Sequence, residues 1–510
     1  MSLGQVIMNR LPTRLIIIAG FFIVCGYAQA QIDTIWTRTY GGDGHDYATS
    51  LLQTVDGGYL MTGITYSYGA GDKDVYLVRT DLNGDTLWTK VYGDTLIDNV
   101  FSIKPTFDGG YVIGGWSSSR SGTNQDFDCY IVKIDRAGFL EWENYCTDSS
   151  NCGAYDIVQA DDGGYLLAGC AKSSNIPANF DLFVVRADPF GDTVWTRHYV
   201  VPGRESWDGL AYSITRTADG HYVVAGELFL QTEYRSDVYV VKIDDYGDTL
   251  WTALIDYDLR EYAWDCAETP EGDIVLAGWT WGGFSDTTGD EIYLAKLTQN
   301  GDLLWQKTYA YAWPVCSYND GWAVAVDPVD HGYLIAADTR PQAISSRDVY
   351  ILKTDSEGDT LWTRRVEDPA DDSPFNIVIT SDNGFAVCGQ KYVVNSHGYI
   401  YKDFYLLKFD LLTGILEPDS RLPDDIELIQ NYPNPFNSAT TIGFVLSRSQ
   451  NLRISVYDLL GRKVRILIDG YMPPGNHNVD LDASDLSSGI YFYRLETDNI
   501  VKKKRMLLLR

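Results

Sequence analysis

Basic residues, histidine and long apolar runs are scarce in this sequence. Over 510 residues, 40 Lys and Arg face 70 Asp and Glu, a formal net charge of −30. A DNA or RNA partner needs a basic face, so the balance argues against nucleic acid. The six His stand in unrelated contexts, and no G-x-S-x-G, H-E-x-x-H or P-loop pattern occurs. There is no C-x-x-C and no His cluster with zinc spacing, so no catalytic residue and no metal ligand set is assigned. Beyond residue 30 no apolar stretch approaches the roughly 20 residues of a membrane helix. Helical Ala- and Leu-rich patterning is also sparse. What is abundant is Gly (47), Tyr (36) and Trp (14) within a chain that is 45% hydrophobic. That composition excludes wholesale disorder and points to an all-β protein of two or three domains.

The chain divides into four stretches. Residues 1–30 read as a signal peptide: Arg10 and Arg14 precede an apolar run from Leu15 to about Tyr27, and Ala28-Gln29-Ala30 has cleavage-site spacing. Lipidation at Cys25 is the rival reading, opposed by the bulky Val24 before it. Residues 31–417 are repetitive, residues 418–425 form a polar, Pro-containing linker, and residues 426–510 carry short alternating runs typical of a small β-sandwich. Seven cysteines lie beyond residue 30, an odd number for an exported chain. Cys146 and Cys152 flank one short loop and are the best candidates for a disulfide.

Three markers recur along residues 31–417. Trp36, Trp88, Trp142, Trp195, Trp251, Trp305 and Trp362 are spaced 52 to 57 residues apart. A turn recurs as Asp56-Gly-Gly-Tyr59, with counterparts beginning at Asp108, Asp162, Asp219, Glu271, Asp330 and Asp382. Such turns supply positive φ and predict tight hairpins. A third strand opens with an acid at Asp74, Asp128, Asp181, Asp237, Glu291, Asp348 and Asp403. The period predicts a seven-bladed β-propeller. No Trp-bearing strand follows Asp403, so Trp36 is expected to complete the last blade and close the ring. The Asp-x-x-Gly…Trp arrangement is similar to the repeats of quinone-cofactor propellers, but the residues that clamp that cofactor are not found, so the likeness extends to fold only.

In the last segment, Asn431-Tyr432-Pro433-Asn434-Pro435-Phe436-Asn437, Val456-Tyr457-Asp458 with Gly461-Arg462, Leu486-Ser487-Ser488-Gly489-Ile490-Tyr491 and a basic end at Lys502–Arg505 follow one another. This order resembles the C-terminal sorting domain of type IX secretion. The resemblance implies a Bacteroidetes-type bacterium, an Ig-like β-sandwich, and passage through the periplasm. It implies recognition by the secretion machinery at the outer membrane, and then release or surface attachment. Ser438 stands where many members carry Pro.

Fixed turns mark one end of every blade, leaving the variable connections at the other, the top, where binding is expected. Two groups stand out there. An acid precedes the hairpin turn by ten or eleven residues at Asp46, Asp98, Asp208, Glu261, Asp320 and Asp372. Either these carboxylates ring the channel mouth, a suitable site for Ca²⁺ or a cationic ligand, or each accepts backbone N–H groups in its own loop. The top loops are also rich in aromatics, among them Tyr66, Tyr68, Trp116, Trp281, Tyr311, Trp313 and Tyr318. The reading favours a secreted or cell-surface binding or adhesion module, non-enzymatic, for a glycan, peptide or surface partner. The alternative is a carbohydrate-active hydrolase or lyase with its site at the channel mouth. No cofactor is expected apart from the Ca²⁺ that such a ring would suit.

Overall fold

A computed structural model describes residues 34–118, 127–146, 151–173, 179–201, 208–230, 235–256, 260–281, 290–309, 318–340, 346–368, 370–394, 398–410, 427–428, 436–446, 450–458, 462–472, 475–497 and 501–508. The proposed signal segment and linker lie outside these. The first strand, β1 (Thr34–Tyr40), pairs antiparallel with Ile400–Phe409, placing Trp36 opposite Lys408. Next come β2 (Asp46–Gln53), β3 (Tyr59–Thr65), β4 (Asp74–Thr80) and β5 (Thr86–Tyr92), paired in sequence order as blade 1. The same order recurs in blades 2 (98–146), 3 (152–199), 4 (208–255), 5 (260–309) and 6 (318–366). Blade 7 (372–409) supplies three strands, and β1 is its fourth. The fold is the expected seven-bladed propeller closed by its N-terminal strand. Closure removes an unpaired strand edge that could template association.

The core lies between blades. Seven apolar clusters fill the seven blade interfaces; one joins Leu60 and Leu77 of blade 1 to Val100 and Ile113 of blade 2, and another joins Ala48 and Met61 to Ala386 and Phe404 across the closure. Second and third strands are buried on both faces, which is why their sequences read as continuous apolar runs.

Trp36, Trp88, Trp142, Trp195, Trp251 and Trp305 each reach across an interface to the turn between the third and fourth strands of the next blade. Gly247 shows why that turn needs glycine: its φ is 78°, and a Cβ there would lie 2.8 Å from the Trp195 ring. Four residues after the Trp, a Tyr donates its hydroxyl to the same glycine's carbonyl: Tyr40 to Gly84 at 2.6 Å, Tyr199 to Gly247 at 2.9 Å, Tyr309 to Gly358 at 2.6 Å.

This second pin corrects the disulfide expectation. At the Tyr position blade 2 carries Cys146, whose thiol donates to Gly191 O at 3.4 Å. Cys152 Sγ meets the Cys146 carbonyl at 3.5 Å, and both cysteines are free and buried. Burial pushes the thiols of Cys146 and Cys170 up to about 12, so the reactive thiolate is suppressed. Native protein treated with iodoacetamide should therefore keep Cys129, Cys146, Cys152, Cys170, Cys266 and Cys388 unmodified by peptide mass mapping. Alkylation of Cys146 or Cys152 in the folded chain would contradict this packing.

A bottom-face pattern escaped the sequence reading. Opposite each Trp stands a buried cation: Arg79, Lys133, Arg186, Lys242, Lys296, Lys353 and Lys408. Each pairs with an aspartate of its own hairpin turn, Asp56, Asp108, Asp162, Asp219, Asp273, Asp330 and Asp382, at 2.5–3.3 Å. The turn aspartates thus serve a charge pair as well as turn geometry.

The second domain packs a three-stranded sheet (Glu427–Leu428, Ala439–Leu446, Gly475–Asp482) and a four-stranded sheet (Lys463–Met472, Gln450–Tyr457, Gly489–Glu496, Val501–Leu508) around Phe444, Ile454, Tyr493 and Leu508. This is a small β-sandwich. The basic run Lys502–Arg505 lies on an edge strand, where lysine discourages further pairing.

Candidate site at the channel mouth

Every first strand is broken by a β-bulge three or four residues after its start. In blade 1 the register shifts between Ala48 and Ser50, and the extra residue is Thr49. The equivalent extra residues are Phe101, Tyr155, Tyr212, Trp264, Trp322 and Phe375. A bulge re-aims a side chain out of strict alternation, and here all seven point into the central channel. The bulged strand also presses its carbonyl onto the second strand: a Cβ at Gly278 would fall 1.7 Å from Tyr262 O. That contact explains the second-strand glycine of this blade.

Six of the seven bulge residues are aromatic, and they touch in chain order around the channel. Ring centroids lie 5.0 Å apart for Phe101–Tyr155, 5.5 Å for Tyr155–Tyr212, 4.1 Å for Tyr212–Trp264, 5.3 Å for Trp264–Trp322 and 5.1 Å for Trp322–Phe375. Together with Tyr47, Thr49, Gln390 and Lys402 they line a cup of about 580 Å³. The buried Trp264 Nε1 has no hydrogen-bond partner. One residue deeper, the channel turns polar: Asp156 Oδ1 accepts from Ser102 Oγ at 2.6 Å and pairs with Lys104 at 3.2 Å. Beside it, Asp265 accepts from Val324 N at 2.9 Å, and burial pushes it up to about 6.

Two buried carboxylates hold the collar from outside. Tyr212 Oη donates to Glu227 at 2.6 Å, and Trp322 Nε1 to Asp338 at 3.3 Å. Burial raises Glu227 to about 8 and, with the neighbouring Asp320 charge, Asp338 to about 7. Arg347 lies 3.3 Å from Asp338 and 3.5 Å from Asp320.

The expected ring of carboxylates is not what lines the mouth. Asp46, Asp98, Glu261 and Asp372 are buried at the tops of their first strands, and Asp208 is half-buried. Asp46 Oδ2 accepts from Gly42 N at 2.9 Å and Ser67 Oγ at 2.7 Å, Asp98 from Asp94 N at 3.1 Å, and Asp208 from Phe180 N at 2.8 Å. Glu261 meets Thr280 Oγ1 at 3.5 Å, and Asp372 lies 3.6 Å from Lys391. Asp320 is out of register with the others: Asn319 occupies the aligned place, because the hairpin at Asp327–Gly332 holds one extra residue, His331, at φ 58°. The sequence reading missed the collar altogether. Its signal was an aromatic two to four places after the acid, on a strand facing a glycine.

Of the predicted aromatics, Trp281 is exposed, with the Arg260 guanidinium 5.7 Å from its ring centre. Tyr311 and Trp313 lie outside the described residues, as do Asn431, Pro433, Asn434, Pro435 and Gly461 of the sorting motif. Gly489 opens its strand at φ 154°, and Tyr491 Oη donates to Ser487 O at 2.9 Å. Among the described residues no group of three His, Cys, Asp or Glu could hold a metal ion. No helix among them is long and apolar enough to cross a membrane.

The fold and site define a ring-closed propeller with an aromatic channel mouth, followed by a β-sandwich. Residues 430–508 match the secretion system C-terminal sorting domain. That domain marks the protein for type IX secretion to the cell surface or the outside, and makes the secretion machinery a partner. No curated protein matches the chain. Among solved structures, it is similar to a fungal alcohol oxidase of the AA5 family in complex with copper (11% identity, 94% of this chain and 100% of that one, TM-score 0.47). It is similar also to the propeller domain of the Trilobed protease from Pyrococcus furiosus (10%, 71% and 93%, TM-score 0.40). A third is PorZ, a surface component of the type IX secretion system of Porphyromonas gingivalis (12%, 91% and 81%, TM-score 0.25).

Proposed function

We propose that this is an exported binding module that takes the end of a carbohydrate chain into the aromatic cup without turning it over. The observation that carries this reading is the collar of six aromatic rings around one cavity. Such rings offer flat apolar faces for sugar stacking, while Gln390 and Lys402 offer polar contacts. On a glycan array, the mature chain should bind a restricted set of structures. Trp264→Ala and Trp322→Ala should each weaken that binding at least about tenfold, the loss of one stacked ring being worth roughly 1.4 kcal/mol or more. Undiminished binding by both folded variants would remove the cup from the account.

A second reading rests on Tyr212 and Glu227. A carboxyl held protonated near neutral pH beside a cup is the group a glycosidase uses as general acid. Release of reducing ends from a polysaccharide panel, abolished by Glu227→Gln, would favour catalysis over binding.

A further inference from the structure

Blade 7 is built taller than its neighbours. Its second and third strands, Phe385–Val394 and Ile400–Phe409, run ten residues each, the longest described strands of the propeller. The extra length lies beyond Asp403, where Tyr392, Val393 and Val394 pair with Lys402, Tyr401 and Ile400. Blade 1 holds this extension in place. Lys402 N donates to His45 Nδ1 at 3.2 Å, and the His45 ring centre lies 5.7 Å from that of Tyr401. Gln390 stands opposite Phe404 and Tyr392 opposite Lys402. Residues two apart on a strand share a face, so Gln390 and Lys402 look the same way, and both line the cup.

The other two lysines of blade 7 are ion-paired, Lys391 with Asp368 at 2.5 Å and Lys408 with Asp382 at 3.0 Å. Among the described residues no carboxylate pairs with Lys402. Its ammonium lies instead 5.2 Å from the ring centres of both Tyr47 and Tyr392. Cation–π attraction from two rings positions the charge without neutralising it. Acids are plentiful in a chain of net charge −30, so scarcity does not explain a half-buried lysine left without one. The Gln390 amide also makes no hydrogen bond among the described residues. The collar's outer supports do not cancel this charge, for burial pushes Glu227 up to about 8, and Asp338 has Arg347 at 3.3 Å. Below the rings the sign reverses, with Asp156 and Asp265 against the single Lys104. The cup therefore has a cationic rim on its blade 7 side and an acidic floor.

We propose that the cup takes an anionic sugar, whose carboxylate or sulfate docks on Lys402 and Gln390 at the rim while its ring stacks on the collar. This rests on the cup being the carbohydrate site and names the class of ligand it receives. An ammonium is a compact point charge that suits either anion, and the glutamine amide adds two N–H donors. The acidic floor keeps the ligand's charge at the rim and so fixes which way the sugar points. The net charge of −30 does not defeat the contact. At physiological ionic strength exposed charges beyond about 8 Å are largely screened, and a partly enclosed pair is screened much less.

The test presents the mature full chain with an array of oligosaccharides whose terminal sugars come in matched neutral, carboxylated and sulfated forms, such as galactose, galacturonic acid and galactose sulfate. Anionic ends should bind at least about tenfold tighter than their neutral counterparts at low salt, as expected for one charged contact. That advantage should shrink as NaCl rises. The carboxylated and sulfated arms show which anion is preferred. Lys402→Met keeps an apolar stem against the two tyrosines and should abolish the preference, whereas Lys402→Arg should retain it. Lys90→Met removes the same charge beside Phe139, away from the cup, and should leave the preference intact. Trp264→Ala should weaken neutral and anionic ends together. Neutral ends bound as well as anionic ones, or a preference that survives Lys402→Met, would overturn the proposal and leave the cup as a carbohydrate site. An array with no bound saccharide would overturn both.

Discussion

A chain lacking residues 31–40 is expected to lose its cooperative thermal transition and to associate into oligomers. The deletion strips β1 from blade 7, exposing the backbone of Ile400–Phe409, which lies against the apolar cluster of the closing interface. It removes the Trp36 ring from Gly84 and the 2.6 Å hydrogen bond from Tyr40 to Gly84 O. Truncating a packed Trp alone costs about 3 kcal/mol. With the ladder lost as well, the total reaches the whole margin of roughly 5–15 kcal/mol that holds a domain folded. The bared strand then offers a template for a second chain. Light scattering after gel filtration and a circular-dichroism melt would decide it. A truncated monomer with an unchanged midpoint would mean that the ring does not depend on this strand.

The second large effect is on stability against pH. Glu227, Asp338 and Asp372 are all but fully buried, and burial pushes them to about 8, 7 and 7. Their folded-state values lie above the unfolded ones, so the folded chain holds more protons between about pH 4 and 8. Stability from these groups is fully present below pH 4 and is lost as pH rises through 7 and 8. Each tenfold change in proton affinity is worth about 1.4 kcal/mol, so three such groups make the protein less stable at pH 8 than at pH 5 by several kcal/mol. The turn aspartates act oppositely. Partial burial works against them, but hydrogen bonds from Thr106 and Lys133 hold Asp108 at about 2, and those from Lys242 and Thr217 hold Asp219 there. Their contribution is present above about pH 4 and is lost as pH falls through 2. Urea midpoints measured from pH 2 to 9 should therefore peak near pH 4. A midpoint that climbs steadily to pH 8 would show that these carboxyl groups ionise without penalty.

Much of the architecture was legible in the residues themselves. The spacing of Trp36 to Trp362, the Asp-Gly turns and the absence of a Trp strand after Asp403 are local or periodic signals, and they fix blade number and closure. The sorting domain was equally readable, because its motifs are contiguous. The candidate site was not. Thr49, Phe101, Tyr155, Tyr212, Trp264, Trp322 and Phe375 face one channel only because each first strand carries one residue more than its partner spans, and pairing register is a property of two strands. Asp320 was misaligned for a related reason, an extra residue in a hairpin downstream of it. Cys146 and Cys152 are near in sequence, but Cys146 is committed to Gly191 in the neighbouring blade. Alone, then, the sequence determined the repeat, the turns, the closure and the export domain, since each is written in short-range chemistry. Tertiary structure decided which aromatics share a cup, because that depends on residues some fifty positions apart being brought side by side.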